Sequence, residues 1–282
     1  MIDCWDGQAW QRMLQTADGP MELTVTQEQK EGLRLLASVD RPGIEPSSAM
    51  LAEAERTVIR MLGLDIRMDG FYALAKRDQR LSLLARKFIG MRPPRFPSTF
   101  EALVNAVACQ QLSLTVGIHL LNRLALHFGV TSPMSGVPAF PSAQQLADAD
   151  PAALRTLGFS GAKAKTLVRL GQKVTSNEID LEALDHSDDH VARDTLIGLP
   201  GIGRWSADYT LLRGLGRLEI LPGDDVGARN NLRRHFNLAS DSGYDAVIAL
   251  SREWWPYGGL VYFHLLLNRL ADEGCLEPCA GI

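Results

Sequence analysis

Polar and apolar residues alternate in two short runs near the start of the chain. Residues 21–26 (Met-Glu-Leu-Thr-Val-Thr) and 33–39 have strand character, and the polar stretch 27–32 between them predicts a hairpin. The period then changes. Over residues 47–62, Leu51, Ala54, Val58, Met61 and Leu62 recur every three or four positions and predict an amphipathic helix. Residues 1–70 therefore read as a small α+β module.

From Phe71 onward nearly every periodic segment is helical, and the breaks between segments carry recognisable signals. Pro93, Pro94 and Pro97 interrupt the chain, after which Ser98 and Glu101 form a capping-box pattern for a helix beginning at Phe100. That helix is expected to stop near Gln110-Gln111-Leu112, with Ser113 capping the next one as far as Phe128. A loop rich in proline and glycine follows at 131–141. Pro151 suits a first helical position and Gly158 a terminator, before a helix over 161–174. The fold class expected is mainly α, with 71–282 as a helical body behind the N-terminal module.

Composition narrows the function classes. The 282 residues are 46% hydrophobic, enough for one large or two interlocked cores. Apolar stretches such as 260–267 are far shorter than the roughly 20 residues a membrane span needs. With no basic-then-apolar segment at the N-terminus, the expectation is a cytoplasmic protein without membrane contact. A net charge of −4 argues against holding nucleic acid by bulk electrostatics. Basic residues nevertheless cluster at Lys76, Arg77, Arg80, Arg86, Lys87, Arg92 and Arg95, and again at Arg229, Arg233 and Arg234; charge alone makes these solvated helix faces. Cys4, Cys109, Cys275 and Cys279 lack metal-site spacing and read as free thiols, and the six histidines have no metal-ligand context. No cofactor is implied.

The most informative stretch is Leu-Pro-Gly-Ile-Gly at 199–203. It lies between the end of one helix, at 194–197, and the start of another at Arg204. Gly201 and Gly203 are able to take backbone angles closed to other residues and leave their amides unobstructed, which makes a cradle for one DNA phosphate beside a helix N-terminus. Leu199 and Ile202 are expected to anchor the turn in the core. By itself such a turn also fits any glycine-rich link between helices.

The hairpin with its following helix (Leu-Pro-Gly-Ile-Gly-Arg-Trp-Ser-Ala-Asp-Tyr, 199–209), together with Leu-Pro-Gly-Asp-Asp at 221–225, resembles the helix-hairpin-helix, Gly/Pro-rich loop and catalytic aspartate of the HhH-GPD DNA glycosylase superfamily. Within it the resemblance is to the DNA-3-methyladenine glycosylase II group. Ala-Cys-Gln-Gln-Leu-Ser at 108–113, Leu-Gly-Phe-Ser-Gly-Ala-Lys-Ala-Lys at 157–165 and Trp-Pro-Tyr at 255–257 add to it, so that the likeness spans about residues 71–274. It implies two interlocked helical subdomains, about 100–217 and 71–99 with 218–282, in a monomer acting on double-stranded DNA that contains damaged bases.

The resemblance also assigns roles. Asp225 becomes the catalytic carboxylate, which stabilises positive charge on the sugar as the glycosidic bond breaks and orients the attacking water. Leu112 becomes the wedge that fills the gap left by an everted base. Trp205, Tyr209, Gln111, Tyr257 and Leu266 line the base pocket, where aromatic faces attract bases made cationic by alkylation. Leu199, Gly201, Ile202, Gly203, Ser206 and Arg229 belong to the DNA-contacting surface. No metal site is expected, although the carbonyls of the 198–203 hairpin are able to hold a monovalent cation when DNA is bound.

The lyase-type relatives carry an amine nucleophile where this chain has Trp205, so hydrolysis without strand cleavage is implied. Leu266 stands where relatives tend to have an aromatic residue, and Gly258-Gly259 where an arginine is common, which suggests a wider pocket. The first substrate expected is 3-methyladenine, with 7-methylguanine, 1-methyladenine and 3-methylcytosine as further candidates. The residues alone leave other readings open. Leu112 also fits a core leucine, Trp205 and Tyr209 core aromatics, and Asp224-Asp225 a helix cap and its neighbour. A noncatalytic lesion-binding protein and a glycosylase for another lesion class are the alternatives.

Overall fold

The computed structural model describes residues 1–16, 18–28, 32–39, 45–132 and 135–276. The chain opens with β1 (Asp3–Trp5), β2 (Ala9–Thr16), β3 (Gly19–Glu28) and β4 (Gly32–Val39), an antiparallel sheet whose spatial order is the sequence order. The helices follow as α1 (Ser48–Leu62), α2 (Asp69–Ala75), α3 (Gln79–Lys87), α4 (Thr99–Cys109), α5 (Leu114–Phe128), α6 (Ala143–Ala147) and α7 (Pro151–Thr156). The chain continues with α8 (Gly161–Thr175), α9 (Asp189–Ile197), α10 (Arg204–Arg213), α11 (Val226–Phe236), α12 (Tyr244–Ser251) and α13 (Gly258–Asp272). The protein is therefore mainly helical with an N-terminal sheet, and no described helix is long and apolar enough to cross a membrane.

The alternating run in β3 does what its period requires: Met21, Leu23 and Val25 are buried while Glu22, Thr24 and Thr26 are only partly covered. Strand β4 pairs with β3 as expected, although residues 29–31 of the intervening turn lie outside the described residues. Strand β2 carries no such pattern, because both of its faces are covered. Arg12 is buried and bridges to Asp3 at 2.9 Å, while its neighbour Met13 packs on Val137 and Ala139. In α1 the inward face is Met50, Ala54, Val58 and Met61; Leu51, expected on it, is exposed.

Capping follows the sequence signals closely. Ser113 accepts from the Val116 amide to start α5, Pro151 sits in the first turn of α7, and Ser160 caps α8. The Ser98 hydroxyl accepts from the Glu101 amide at 3.1 Å, and α4 begins one residue earlier than expected.

The chain forms two compact units. The first comprises Met1–Ile59, Leu103–Asp185 and Leu199–Gly201, and the second Arg60–Ala102, His186–Gly198 and Ile202–Ile282. This division differs from the boundaries that the sequence suggested, for a physical reason. The sheet is built into the first unit through Met13 on Val137 and Ala139, the Ile2 amide on Asn122 Oδ1 at 3.1 Å, and Gln15 Nε2 on Gln145 Oε1 at 3.1 Å. Helices α9 and α10 belong with the C-terminal helices, because Asp208 of α10 joins Arg193 of α9 at 2.7 Å and Tyr244 of α12 at 3.3 Å.

The core of the second unit gathers Phe71, Leu81, Leu212, Leu232, Trp254 and Leu260 among others. Its basic run lies largely on exposed helix faces, as charge alone suggested, and part of it also makes structural contacts. Arg92 Nη1 donates to the Ile66 carbonyl at 2.7 Å, Arg95 Nη2 to the Gly214 carbonyl at 2.7 Å, and Lys87 Nζ to Asn268 Oδ1 at 2.7 Å, while Arg80 lies over the Phe236 ring. Cys4, Cys109 and Cys275 form no disulfide among the described residues, and Cys279 lies outside them.

Candidate active site

In the second unit, Asp225 is the N-cap of α11. Its backbone is extended, and Oδ1 accepts from the Ala228 amide at 2.8 Å. The same residue does more than cap. Oδ2 accepts from the Trp205 indole Nε1 at 3.0 Å and from the Tyr262 hydroxyl at 3.4 Å. Both carboxylate oxygens are thus held by donors from α10, α11 and α13, while the residue itself stays half-buried. The cap and the chemical group are one side chain. Of the readings left open by the sequence, the geometry shows the helix cap directly, and Asp225 adds to it the two side-chain donors on Oδ2.

Its neighbour Asp224 is tied down separately. Arg204 Nε donates to Asp224 Oδ2 at 2.7 Å, and the Arg204 guanidinium lies 3.8 Å from the centroid of Tyr244. Tyr244 in turn donates to Asp208, which is fully buried. Burial pushes the Asp208 carboxyl above its ordinary range, against the pull of Arg193 and Tyr244. Through this chain of contacts the loop ahead of α11 is fixed to α10.

Trp205 and Tyr209, one turn apart on α10, stack at 5.3 Å with planes inclined by 28°. Phe96 extends the aromatic wall, 6.3 Å from Tyr209, and Arg213 backs it with its guanidinium 4.7 Å from Phe96 and 5.8 Å from Tyr209. Leu266 lies four residues after Tyr262 and so shares the α13 face that meets Asp225. Tyr262 is buried, and its phenol is raised well above the ordinary tyrosine range by burial and then by the charge of Asp225. It therefore remains a donor at any ordinary pH.

Several expected residues are placed otherwise. Tyr257 packs edge-on against Phe71 at 6.0 Å, in the core of the second unit rather than on the Trp205–Tyr209 wall. Ser206, expected to touch DNA, is only 1% exposed: the third residue of α10 points inward, so neither its hydroxyl nor its amide is displayed. Leu199 and Ile202 are buried and act as the anchors of the hairpin, not as its contact surface. Gly258 and Gly259 do not widen a pocket. A Cβ on Gly259 would overlap Leu212, and its amide bonds to the Leu218 carbonyl at 2.7 Å, so the pair allows the start of α13 to pack on the 218–221 segment. Arg229 is half-buried, and its amide closes the first turn of α11 on the Asp225 carbonyl at 2.9 Å.

The hairpin itself takes the form its glycines permit. Gly201 is exposed with φ +86°, and Gly203 is the exposed N-cap of α10 with no side chain to shield the amides that follow. Of the carbonyls considered for a cation, that of Gly201 already accepts from Gln110 Nε2 at 3.0 Å. In the first unit, Gln111 takes the left-handed conformation at φ +56°, and Leu112 beyond it is 41% exposed. A core leucine would be covered. Sequence reasoning missed Tyr262, Phe96 and Arg213. Only Tyr262 had a usable signal, its spacing of one helical turn from Leu266.

A family model described as HhH-GPD superfamily base excision DNA repair protein matches residues 104–257, more than half the chain. A DNA-3-methyladenine glycosylase of Bacillus subtilis is 29% identical over 204 residues, which is 72% of this chain and 67% of that protein. The fold is similar to that of a 3-methyladenine DNA-glycosylase from Archaeoglobus fulgidus, with a TM-score of 0.83 at 22% identity over 95% of this chain and 90% of that one. It is also similar to Schizosaccharomyces pombe 3-methyladenine DNA glycosylase in complex with abasic DNA, with a TM-score of 0.61 at 26% identity over 71% and 96% of the two chains. The chain spans 58% and 67% of the two Bacillus subtilis relatives that it matches. On the extent of the family match and the order of its motifs, this chain belongs to the HhH-GPD superfamily of base excision DNA repair proteins.

Proposed function

We propose that the protein is a monofunctional DNA glycosylase that hydrolyses the N-glycosidic bond of everted alkylated bases, with 3-methyladenine as the leading substrate. The observation that carries this reading is the setting of Asp225: a half-buried carboxylate held by Trp205, Tyr262 and the Ala228 amide beside an aromatic wall.

The donors support a division of labour between the two oxygens. Each carboxylate oxygen has two lone-pair positions. Oδ2 uses both, on Trp205 and Tyr262, whereas Oδ1 uses one on Ala228 and keeps the other for a water among the described contacts. As the C1′–N bond breaks, its electron pair leaves with the base and positive charge grows on the sugar, where the fixed anion stabilises it. Water then bonds to C1′ and passes its proton to Asp225 Oδ1, which releases it to solvent, so that a hydroxyl remains at C1′ of an abasic site. Alkylation at a ring nitrogen makes the base cationic, which improves it as a leaving group and favours the Trp205–Tyr209 face. The names of the relatives point to the same substrate class, and the Schizosaccharomyces pombe complex with abasic DNA supports DNA as the partner.

Trp205 has no amine to attack the sugar, which supports hydrolysis without lyase chemistry. The test is single-turnover release of free base from duplexes with one defined lesion each. The wild type releases 3-methyladenine, and Asp225→Asn binds the same duplex yet loses at least about a hundredfold in rate, the scale of removing a catalytic electrostatic group. Unchanged release by Asp225→Asn, or a covalent adduct trapped with borohydride, would overturn the assignment.

A further inference from the structure

The corner between α4 and α5 carries more hydrogen bonding than a helix junction requires. After α4 ends, Gln111 enters the left-handed region at φ +56° and the Leu112 amide returns to the Cys109 carbonyl at 3.2 Å. The two helices meet closely behind it. Gly117 of α5 faces Cys109, and a Cβ there would overlap the Cys109 sulfur. The carbonyls freed at the end of α4 are claimed by one side chain: Lys163 of α8 donates Nζ to Ala108 at 2.9 Å and to Gln110 at 2.7 Å. Burial lowers the Lys163 amine below its ordinary value. A lysine so placed gives up part of its hydration to hold two carbonyls.

The same corner is tied to the hairpin. Gln110 Nε2 donates to the Gly201 carbonyl at 3.0 Å, and Thr166, one turn after Lys163 on α8, stands against Gly201 so closely that a Cβ there would overlap its hydroxyl. One turn of α8 therefore backs both the exposed Leu112 corner and the glycine turn. All of these residues lie within the first unit.

We infer that Gln110 and Lys163 are positioning residues for base eversion, bracing the Leu112 wedge against the hairpin that grips the strand. The inference rests on the glycosylase reading. Without the brace, a strained left-handed residue and a half-exposed leucine have little to hold them at a fixed height above the hairpin. With it, a strand gripped at the Gly201 turn sets where Leu112 enters the stack. The brace touches no reacting atom, so it acts on opening of the base pair and not on bond cleavage.

The test separates those steps with Gln110→Ala, and with Lys163→Met as the stronger variant that keeps the aliphatic stem. Single-turnover release is measured from one duplex with 3-methyladenine paired to thymine and from another with the same lesion opposite an abasic site, where the pairing cost is already absent. The expected result is a loss of about tenfold on the paired duplex, equivalent to roughly 1.4 kcal/mol, and less than about threefold on the unpaired one. Equal losses on both duplexes, or no loss on either, would overturn the inference. A 2-aminopurine opposite a tetrahydrofuran site gives a readout independent of excision. Saturating wild type raises its fluorescence by inserting the wedge, and Gln110→Ala at saturation raises it less; identical signals count against the brace. Failure of the wild type to release any base, with the fluorescence difference intact, would instead remove the glycosylase reading and leave the brace standing.

Discussion

Tyr262→Phe removes one hydrogen bond from the Asp225 carboxylate, proposed above as the catalytic group, and nothing else of comparable size. The phenyl ring keeps its packing on α13, and Asp225 Oδ2 retains the Trp205 donor at 3.0 Å. A good hydrogen bond to a charged group contributes about 1.5–3 kcal/mol. The Tyr262 contact is 3.4 Å, well beyond the usual length of about 2.8 Å for O–H···O, so about 1 kcal/mol is the reasonable share. That corresponds to roughly a fivefold fall in the single-turnover rate of base release. Because the phenol is raised well above the ordinary tyrosine range, it stays protonated from pH 6 to 9, and the deficit should be constant over about that interval. Affinity for a duplex with a tetrahydrofuran site should not change, and the melting temperature should move by no more than about 4 °C. A normal rate, or a rate loss matched by an equal loss of affinity, would show that Tyr262 does not position Asp225.

Two further predictions concern the scaffold. Gly201→Ala places a side chain at φ +86° and into the Thr166 hydroxyl, which together should cost about 2–3 kcal/mol in urea denaturation; adding Thr166→Ala should recover part of it, and a single variant as stable as wild type would contradict the geometry. Asp208 has its carboxyl raised by burial despite Arg193 and Tyr244, so its contribution to stability is full below the ordinary aspartate value and is lost as pH rises through the folded-state value. Asp208→Asn should abolish that acid-side dependence, and a difference curve against pH with no slope in that region would refute it.

Much of the protein was legible in its linear pattern, wherever one local rule decided the outcome. Ser113 and Pro151 mark helix starts because a cap hydroxyl or a missing amide acts within one turn. Strand β3 shows in the sequence because only one of its faces is fully buried, whereas β2 is covered on both, with Arg12 buried beside Met13 and Leu14, and so has no period to read. The hairpin and Asp225 could be found because spacing and resemblance pointed to the same positions.

The amino-acid order by itself determined that the body is mainly helical, where several of its helices are capped, and that a glycine hairpin precedes an acid after a Pro-Gly loop. Only the tertiary structure decided that the N-terminal sheet belongs with the helices that follow Leu103, that Tyr262 and not Tyr257 attends Asp225, and that Ser206 faces inward. The physical reason is range. Caps, turns and periodicity are settled by neighbours a few residues away, whereas the donors around a carboxylate come from helices 20 and 37 positions distant in the chain and meet it only when the core has packed.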